Sequence, residues 1–276
     1  PIEKINKSAK VLSKGNYDVT FSGKGYKEIK ELSDTLAAAA RDLGKAEGYR
    51  RELLANVSHD LRTPLTLIGG YAEVMRDLPG ENNAENAQII IDEARRLAEF
   101  VNDMLEISKL QSGAREPILR RFSLTDMLAS MTSTTAELLR VEGYDISFEK
   151  SDEDIEIEAD EKMISQAFYN ILINAVNYTG SDKRVTVRQV RLPYSARIEV
   201  SDTGDGISEQ ELPHIWERYY KSDKSHNRAV KGSGLGLSIV RSIAELHAGS
   251  CGAGSYPGKG STFWIEIPLF NHSSPA

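Results

Sequence analysis

The sequence predicts an α-helical coiled coil and a helical hairpin of the four-helix-bundle kind, followed by an α/β layered domain. Three observations predict it. Apolar residues recur at spacings of three and four up to about residue 113, the rhythm of helices that each bury one face. One strong turn signal, Leu78-Pro79-Gly80 with Asn82, breaks the later part of that stretch into two helices. Between residues 117 and 269, helical stripes alternate with short strand patterns, as in a layered α/β domain.

Residues 1–45 carry two short helical stripes: Ile2, Ile5, Ala9 and Leu12, then Ile29, Leu32, Leu36, Ala39 and Leu43. Gly15 interrupts them, and Tyr17, Val19 and Phe21 alternate as an extended connector does. Two such helices cannot bury their stripes alone, so a second copy of the chain is expected. Residues 46–115 form the hairpin. Leu54, Val57, Leu61, Ile68 and Met75 line one helix; Ile90, Ala94, Leu97, Val101, Met104 and Ser108 line the other. Two hairpins close a four-helix bundle, which again calls for a homodimer.

Residues 116–271 form the mixed domain. Ser123 starts a helix that runs to about Val141. Ile146 and Phe148, and Ile155 and Ile157, mark short strands. Asp160 caps a helix reaching Tyr178. Residues 185–190 and 198–200 read as strands, 235–247 as a helix and 262–267 as a closing strand. Residues 272–276 read as a disordered tail.

Composition narrows the function. The chain has 276 residues, 40% hydrophobic and 27% charged, enough for one to three domains with a sizeable core. A net charge of −7 argues against a large nucleic-acid-binding surface. The single cysteine, Cys251, excludes a disulfide framework and a Cys-rich metal site; it reads as an apolar filler. No apolar run approaches the ~18 residues of a membrane span. The chain starts at Pro1, which suggests a fragment of a longer protein.

The hairpin carries Ser58-His59-Asp60-Leu61-Arg62-Thr63-Pro64. With Leu54 and Leu61 at one core position and Val57 at the other, His59 faces outward. A neutral imidazole has a lone pair that attacks electrophiles. Asp60 can hold the proton on one ring nitrogen and leave the other nucleophilic. Thr63 shares the helix face of His59. Consecutive helix residues diverge, so Ser58, His59 and Asp60 do not form a hydrolytic triad.

Several later segments suit a nucleotide. Gly232-Ser233-Gly234-Leu235-Gly236-Leu237 opens a helix, where glycines and free amides attract phosphate. Its spacing does not fit the dinucleotide fingerprint. Gly258-Lys259-Gly260-Ser261-Thr262 lacks the Ser or Thr that a Walker loop needs directly after its lysine, and reads as a turn. Asp202-Thr203-Gly204-Asp205-Gly206-Ile207 follows a strand, and its first carboxylate could accept from an exocyclic amine; a simple Asp/Gly turn is the plain alternative. Asn170 and Asn174 lie four apart on an otherwise apolar helix. They could ligate Mg²⁺ beside phosphates, or simply bond to backbone groups.

Together these motifs resemble the sensor histidine kinases of two-component systems, over nearly the whole chain. Residues 58–64 resemble the phosphoacceptor box. Residues 166–179 resemble the N box, which places Mg²⁺ on Asn174 and makes Asn170, Asn177 and Tyr178 nucleotide-site residues. Residues 202–207 resemble the first glycine box: Asp202 would bind adenine, with Gly204, Gly206 and Ile207 beside it. Residues 215–220 resemble the aromatic box, which with the adjoining Lys221 makes Arg218 and Lys221 nucleotide contacts. Residues 232–237 resemble the second glycine box, with Ser233, Gly234, Leu235, Gly236 and Leu237 around the phosphates. Residues 1–45 resemble a HAMP linker. The chain departs from the pattern at Asn177, usually Lys or Arg, and at Lys221, often Arg; Lys224 and Lys231 stand near enough in sequence to compensate.

The resemblance implies an α/β sandwich shared with heat-shock chaperones and type II topoisomerases. It implies ATP and Mg²⁺ as cofactors, His59 as phosphoacceptor helped by Asp60, and transfer to an aspartate of a response regulator. Thr63 would orient water for dephosphorylating that partner. The ATPases of this fold carry Glu four residues before the magnesium-binding Asn; here Asn170 stands there and cannot act as a base. The resemblance also implies a missing N-terminal membrane segment, so that the chain is the cytoplasmic portion of a bacterial inner-membrane protein. A conformational ATPase and a nucleotide-binding scaffold without catalysis are the alternatives.

Overall fold

The computed structural model describes residues 2–21, 26–111, 116–151, 153–220 and 234–269. Residues up to Ile90 form one compact unit and those from Ile91 another.

The first unit opens with α1, Ile2–Leu12, and continues into α2, Lys27–Asp77, a helix of 51 residues unbroken at residue 45. The connector docks on both. The Ser8 hydroxyl donates to the Thr20 carbonyl at 3.0 Å. Tyr17 packs where Gly44 leaves room, since a Cβ there would lie 3.1 Å from the Tyr17 Cβ. Ile5, Ser33 and Ala40 are buried. α2 ends at Asp77, and a turn leads to α3, Ala84–Gln111. Asn83 starts α3 by accepting the Asn86 N–H at 2.8 Å, and the Asn86 amide donates back to the Glu81 carbonyl at 2.8 Å. Among the described residues no helix is long and apolar enough to cross a membrane.

The apolar stripes of the hairpin differ in detail from the expected ones. On α2, Leu54 is 55% exposed, while Pro64 is buried and Tyr71 half-buried. On α3, Phe100, Ile107 and Leu110 are buried, whereas Ile91, Val101 and Leu105 are exposed. Ala94 and Ser108 are exposed too. The expected α3 stripe mixed two faces. Its helix carries one apolar seam that is covered and a second that faces solvent.

The second unit contains, after the end of α3, a five-stranded sheet with helices on it. Its elements are β1 (Arg120–Ser123), α4 (Leu124–Leu139), β2 (Asp145–Glu149), β3 (Glu156–Ala159), α5 (Glu161–Tyr178), β4 (Arg184–Arg191), β5 (Ser195–Asp202), α6 (Gly236–Leu246), β6 (Ser250–Ser255) and β7 (Ser261–Pro268). The sheet order is β2-β4-β5-β7-β6, parallel between β2 and β4 and antiparallel elsewhere; β1 and β3 pair as a separate ribbon.

Strand alternation builds the core. Val185 and Val187 of β4, Ala196, Ile198 and Val200 of β5, and Phe263, Ile265 and Ile267 of β7 all point inward. They meet the apolar face of α5: Ile164, Phe168, Ile171, Leu172 and Ala175. Burying one such side chain contributes about 1.5–3 kcal/mol. The helices are locked by caps. Ser123 accepts the Asp126 N–H at the start of α4. Asp160 Oδ1 accepts from the N–H of Lys162 and of Met163 at the start of α5. The Asp160 N–H in turn donates to Nε2 of buried His247 at 3.1 Å, and His247 Nδ1 lies 2.8 Å from the Ile243 carbonyl. That histidine ties the end of α6 to the start of α5.

Candidate nucleotide and phosphoacceptor sites

The first site lies on α2. His59 projects to solvent, with its side chain 79% exposed, and its Nδ1 sits 3.2 Å from Asp60 Oδ1. A proton on Nδ1 is held by that carboxylate, which leaves the lone pair on Nε2. The Ser58 hydroxyl donates to the Leu54 carbonyl at 2.7 Å, so it is bonded to the helix and takes no part in a relay. The Thr63 hydroxyl donates to the His59 carbonyl at 3.3 Å, one turn below the imidazole. Pro64 has no N–H to give the Asp60 carbonyl, the bond an unbroken helix would make there.

The second site lies at the end of β5. Asp202 takes the next inward position after Ala196, Ile198 and Val200, so strand register carries a carboxylate into the core. Its Oδ1 accepts from the Gly204 N–H at 2.8 Å and the Ser261 N–H at 3.3 Å. Its Oδ2 is buried and has no hydrogen-bond partner. Desolvation raises the Asp202 pKa above the ordinary carboxylate range, partly offset by the two amides.

Two glycines make the approach possible. A Cβ on Gly204 would lie 1.9 Å from the Tyr178 carbonyl oxygen, and one on Gly206, at φ +70°, would lie 2.2 Å from that of Tyr256. The Ile207 N–H donates to the Ser255 hydroxyl at 2.7 Å. The structure thus brings Tyr178, Asp202, Gly204, Gly206 and Ile207 together. Ser261 and the β6–β7 turn belong here too. The segment read as a plain turn supplies an amide to Asp202, and two glycines flanking a lysine were its only visible signal.

α5 and α6 supply the rest. Asn170 and Asn174 share a half-exposed face of α5, and the Asn170 amide donates to the Gly236 carbonyl at 3.4 Å. Asn177 and Tyr178 are exposed at the end of α5. At the start of α6 the cap residue is Leu235, whose side chain cannot accept from first-turn amides, and no acidic residue occupies that turn. Leu235 is buried and anchors the helix start; Gly236 and Leu237 are half-buried. Gly234, at φ +69°, accepts the Tyr219 N–H at 3.0 Å. Arg218 is exposed and lines a groove with Leu110, Ser242, Glu245 and Leu246. Lys221, Lys224, Lys231 and Ser233, and the tail 272–276, lie outside the described residues.

This architecture joins a histidine-bearing helical hairpin to an α/β domain with a buried carboxylate, Asp202, at the end of β5. Residues 49–113 match the His Kinase A (phospho-acceptor) domain, and residues 159–271 match the histidine kinase-, DNA gyrase B-, and HSP90-like ATPase family. The signal transduction histidine-protein kinase AfsQ2 of Streptomyces coelicolor is 29% identical over 97% of this chain and 52% of its own length. The histidine kinase ThkA, solved in complex with the response regulator protein TrrA, aligns with a TM-score of 0.65 at 28% identity, covering 79% of this chain and 61% of ThkA. Full-length ShkA, solved with AMPPNP, aligns with a TM-score of 0.61 at 27% identity, covering 82% of this chain and 47% of ShkA. The chain spans about half the length of the curated relatives it matches. It belongs to the sensor histidine kinases of two-component signal transduction.

Proposed function

We propose that this chain phosphorylates His59 with the γ-phosphoryl group of ATP and passes that group to an aspartate of a response regulator. The observation that carries the nucleotide reading is Asp202: one oxygen held by two amides, the other buried without a partner. A buried acceptor left unpaired costs about 1–3 kcal/mol, more when charged, and the exocyclic amine of adenine relieves that cost. Guanine and hypoxanthine present a carbonyl at the same position and would repel it.

The chemistry follows from this chain's own groups. The His59 Nε2 lone pair forms an N–P bond to the γ-phosphorus while the bond to the β–γ bridging oxygen breaks, and ADP leaves. Asp60 keeps Nδ1 oriented and stabilises the cationic ring. The phosphohistidine is then attacked by a carboxylate oxygen of the regulator, and the imidazole leaves. Gly234, Gly236 and the first-turn amides of α6 hold the phosphates, helped by Ser233 and Lys221.

Mg²⁺ fits the donor set. Asn170 and Asn174 present side-chain amides on a half-exposed face of α5, and Mg²⁺ in phosphoryl-transfer sites rests on a few protein oxygens together with substrate phosphates. Asn174 is its ligand in this reading, with Asn170 beside it. When bound, the ion neutralises charge on the phosphates. Asn170 offers no base to activate water, which favours transfer over free hydrolysis.

Two partners belong to the proposal. The exposed apolar residues of α2 and α3, Leu54, Leu65, Val101 and Leu105, support a second copy of the chain. The solved ThkA–TrrA pair supports a response regulator. The HAMP likeness of residues 1–45 supports attachment to a membrane, with this chain on the cytoplasmic side. The test is phosphotransfer. The labelled chain, mixed with a response regulator, should lose label as the regulator gains it. Release of free phosphate with no label on either protein would favour the ATPase alternative.

A further inference from the structure

Ser255 is buried at the end of β6, and its hydroxyl sits between both segments that orient Asp202. It accepts the Ile207 N–H at 2.7 Å, and so pins the far end of the loop whose near end, Gly204, donates to Asp202. It donates to the Gly260 carbonyl at 2.9 Å and lies 2.9 Å from the Ser261 hydroxyl. A hydroxyl has one proton and two lone pairs. With its proton on Gly260, Ser255 accepts from both Ile207 and Ser261, and every position is filled. Ser261 is then held at both ends: its hydroxyl by Ser255, its N–H by Asp202 at 3.3 Å. Both segments therefore share one hydroxyl as partner. A Cβ on Gly260 would lie 2.0 Å from the Asp202 carbonyl oxygen, and the Gly258 N–H donates to the Asp205 carbonyl at 2.7 Å.

We propose that Ser255 is a positioning residue for purine selectivity: its single hydroxyl ties together the two segments whose Gly204 and Ser261 amides aim the unpartnered oxygen of Asp202. This rests on the adenine reading of Asp202. Ser255 touches no substrate atom; it acts through Ile207 and Ser261. Without the hydroxyl, the Ile207 amide and the Ser261 side chain lose their shared partner, and Asp202 is free to turn. A base bearing a 6-amino group then loses its advantage over one bearing a 6-carbonyl.

The test is calorimetric titration of the whole chain with ADP and with IDP, for the parent and for Ser255→Ala, Ser255→Cys and Ser255→Thr. Ser255→Ala should reduce the ADP/IDP affinity ratio by about tenfold, the effect of one charge-assisted hydrogen bond. Ser255→Cys keeps the size but accepts weakly, so it should lose the ratio as well, which covers the case in which Ser255→Ala does not fold. Ser255→Thr keeps the hydroxyl and should retain it. Equal losses of ADP and IDP affinity, or an unchanged ratio in Ser255→Ala or Ser255→Cys, would overturn the proposal. A parent chain that binds neither nucleotide would instead overturn the adenine reading, so the two failures are distinct.

Discussion

The side-chain amide of Asn170 on α5 donates to the carbonyl of Gly236 in the first turn of α6, at 3.4 Å. One hydrogen bond thus joins the helix assigned to the metal and the helix assigned to the phosphates. A Cβ added to Gly236 would lie 3.7 Å from Asn170 Cγ, an ordinary contact.

Gly236→Ala therefore separates stability from binding. Alanine is up to about 1 kcal/mol better than glycine in a helix, so the melting temperature of the free chain should hold or rise. The new methyl narrows the gap where the phosphates approach, so ATP affinity should fall several-fold. Thermal unfolding and titration on one preparation check this. A lower melting temperature with unchanged affinity would place Gly236 in packing alone.

Asp202 sets a pH dependence whose sign follows from burial. Its pKa is raised in the folded chain, so the folded state holds the proton more tightly than the unfolded state does. The stability this contributes is fully present below the ordinary carboxylate value, about 3.9, and is lost as pH rises through the raised folded value. Compared with Asp202→Asn, the parent should lose stability across that window. Urea unfolding at a series of pH values measures the difference, and a difference that stays flat with pH would contradict it. The same substitution should weaken ADP binding by about tenfold or more.

Cys251 is half-buried on β6, and desolvation pushes its thiol up to about 11. Little thiolate is present at pH 8, so alkylation by iodoacetamide should run about a hundredfold slower in the folded chain than in denaturant. Equal rates would show that the strand opens.

Much of the fold was legible because it is written in periodicity. The Asp160 cap, the apolar face of α5 and the alternation of β5 and β7 all emerge where their side chains predict. β1 and β6 did not. β6 reads Ser-Cys-Gly-Ala-Gly-Ser, with no β-branched residue, and becomes a strand because β7 pairs with it. Its Gly252 makes room for the Trp264 indole, which a Cβ would approach to 2.3 Å. Asp202 was legible as a carboxylate before two glycines. Ser261 was not, because it acts on Asp202 through its backbone N–H, which no residue type announces. The exposed seam of α3 was hidden for another reason: two apolar stripes on one helix merge when read as one.

The most direct test of the account is incubation with γ-labelled ATP. The parent chain should acquire label that is stable to base and lost in acid, as a phosphohistidine is. His59→Gln should acquire none while binding ADP as tightly as the parent. Label that persists in His59→Gln, or a parent that binds ADP and never becomes labelled, would contradict the assignment of His59 as the phosphoacceptor.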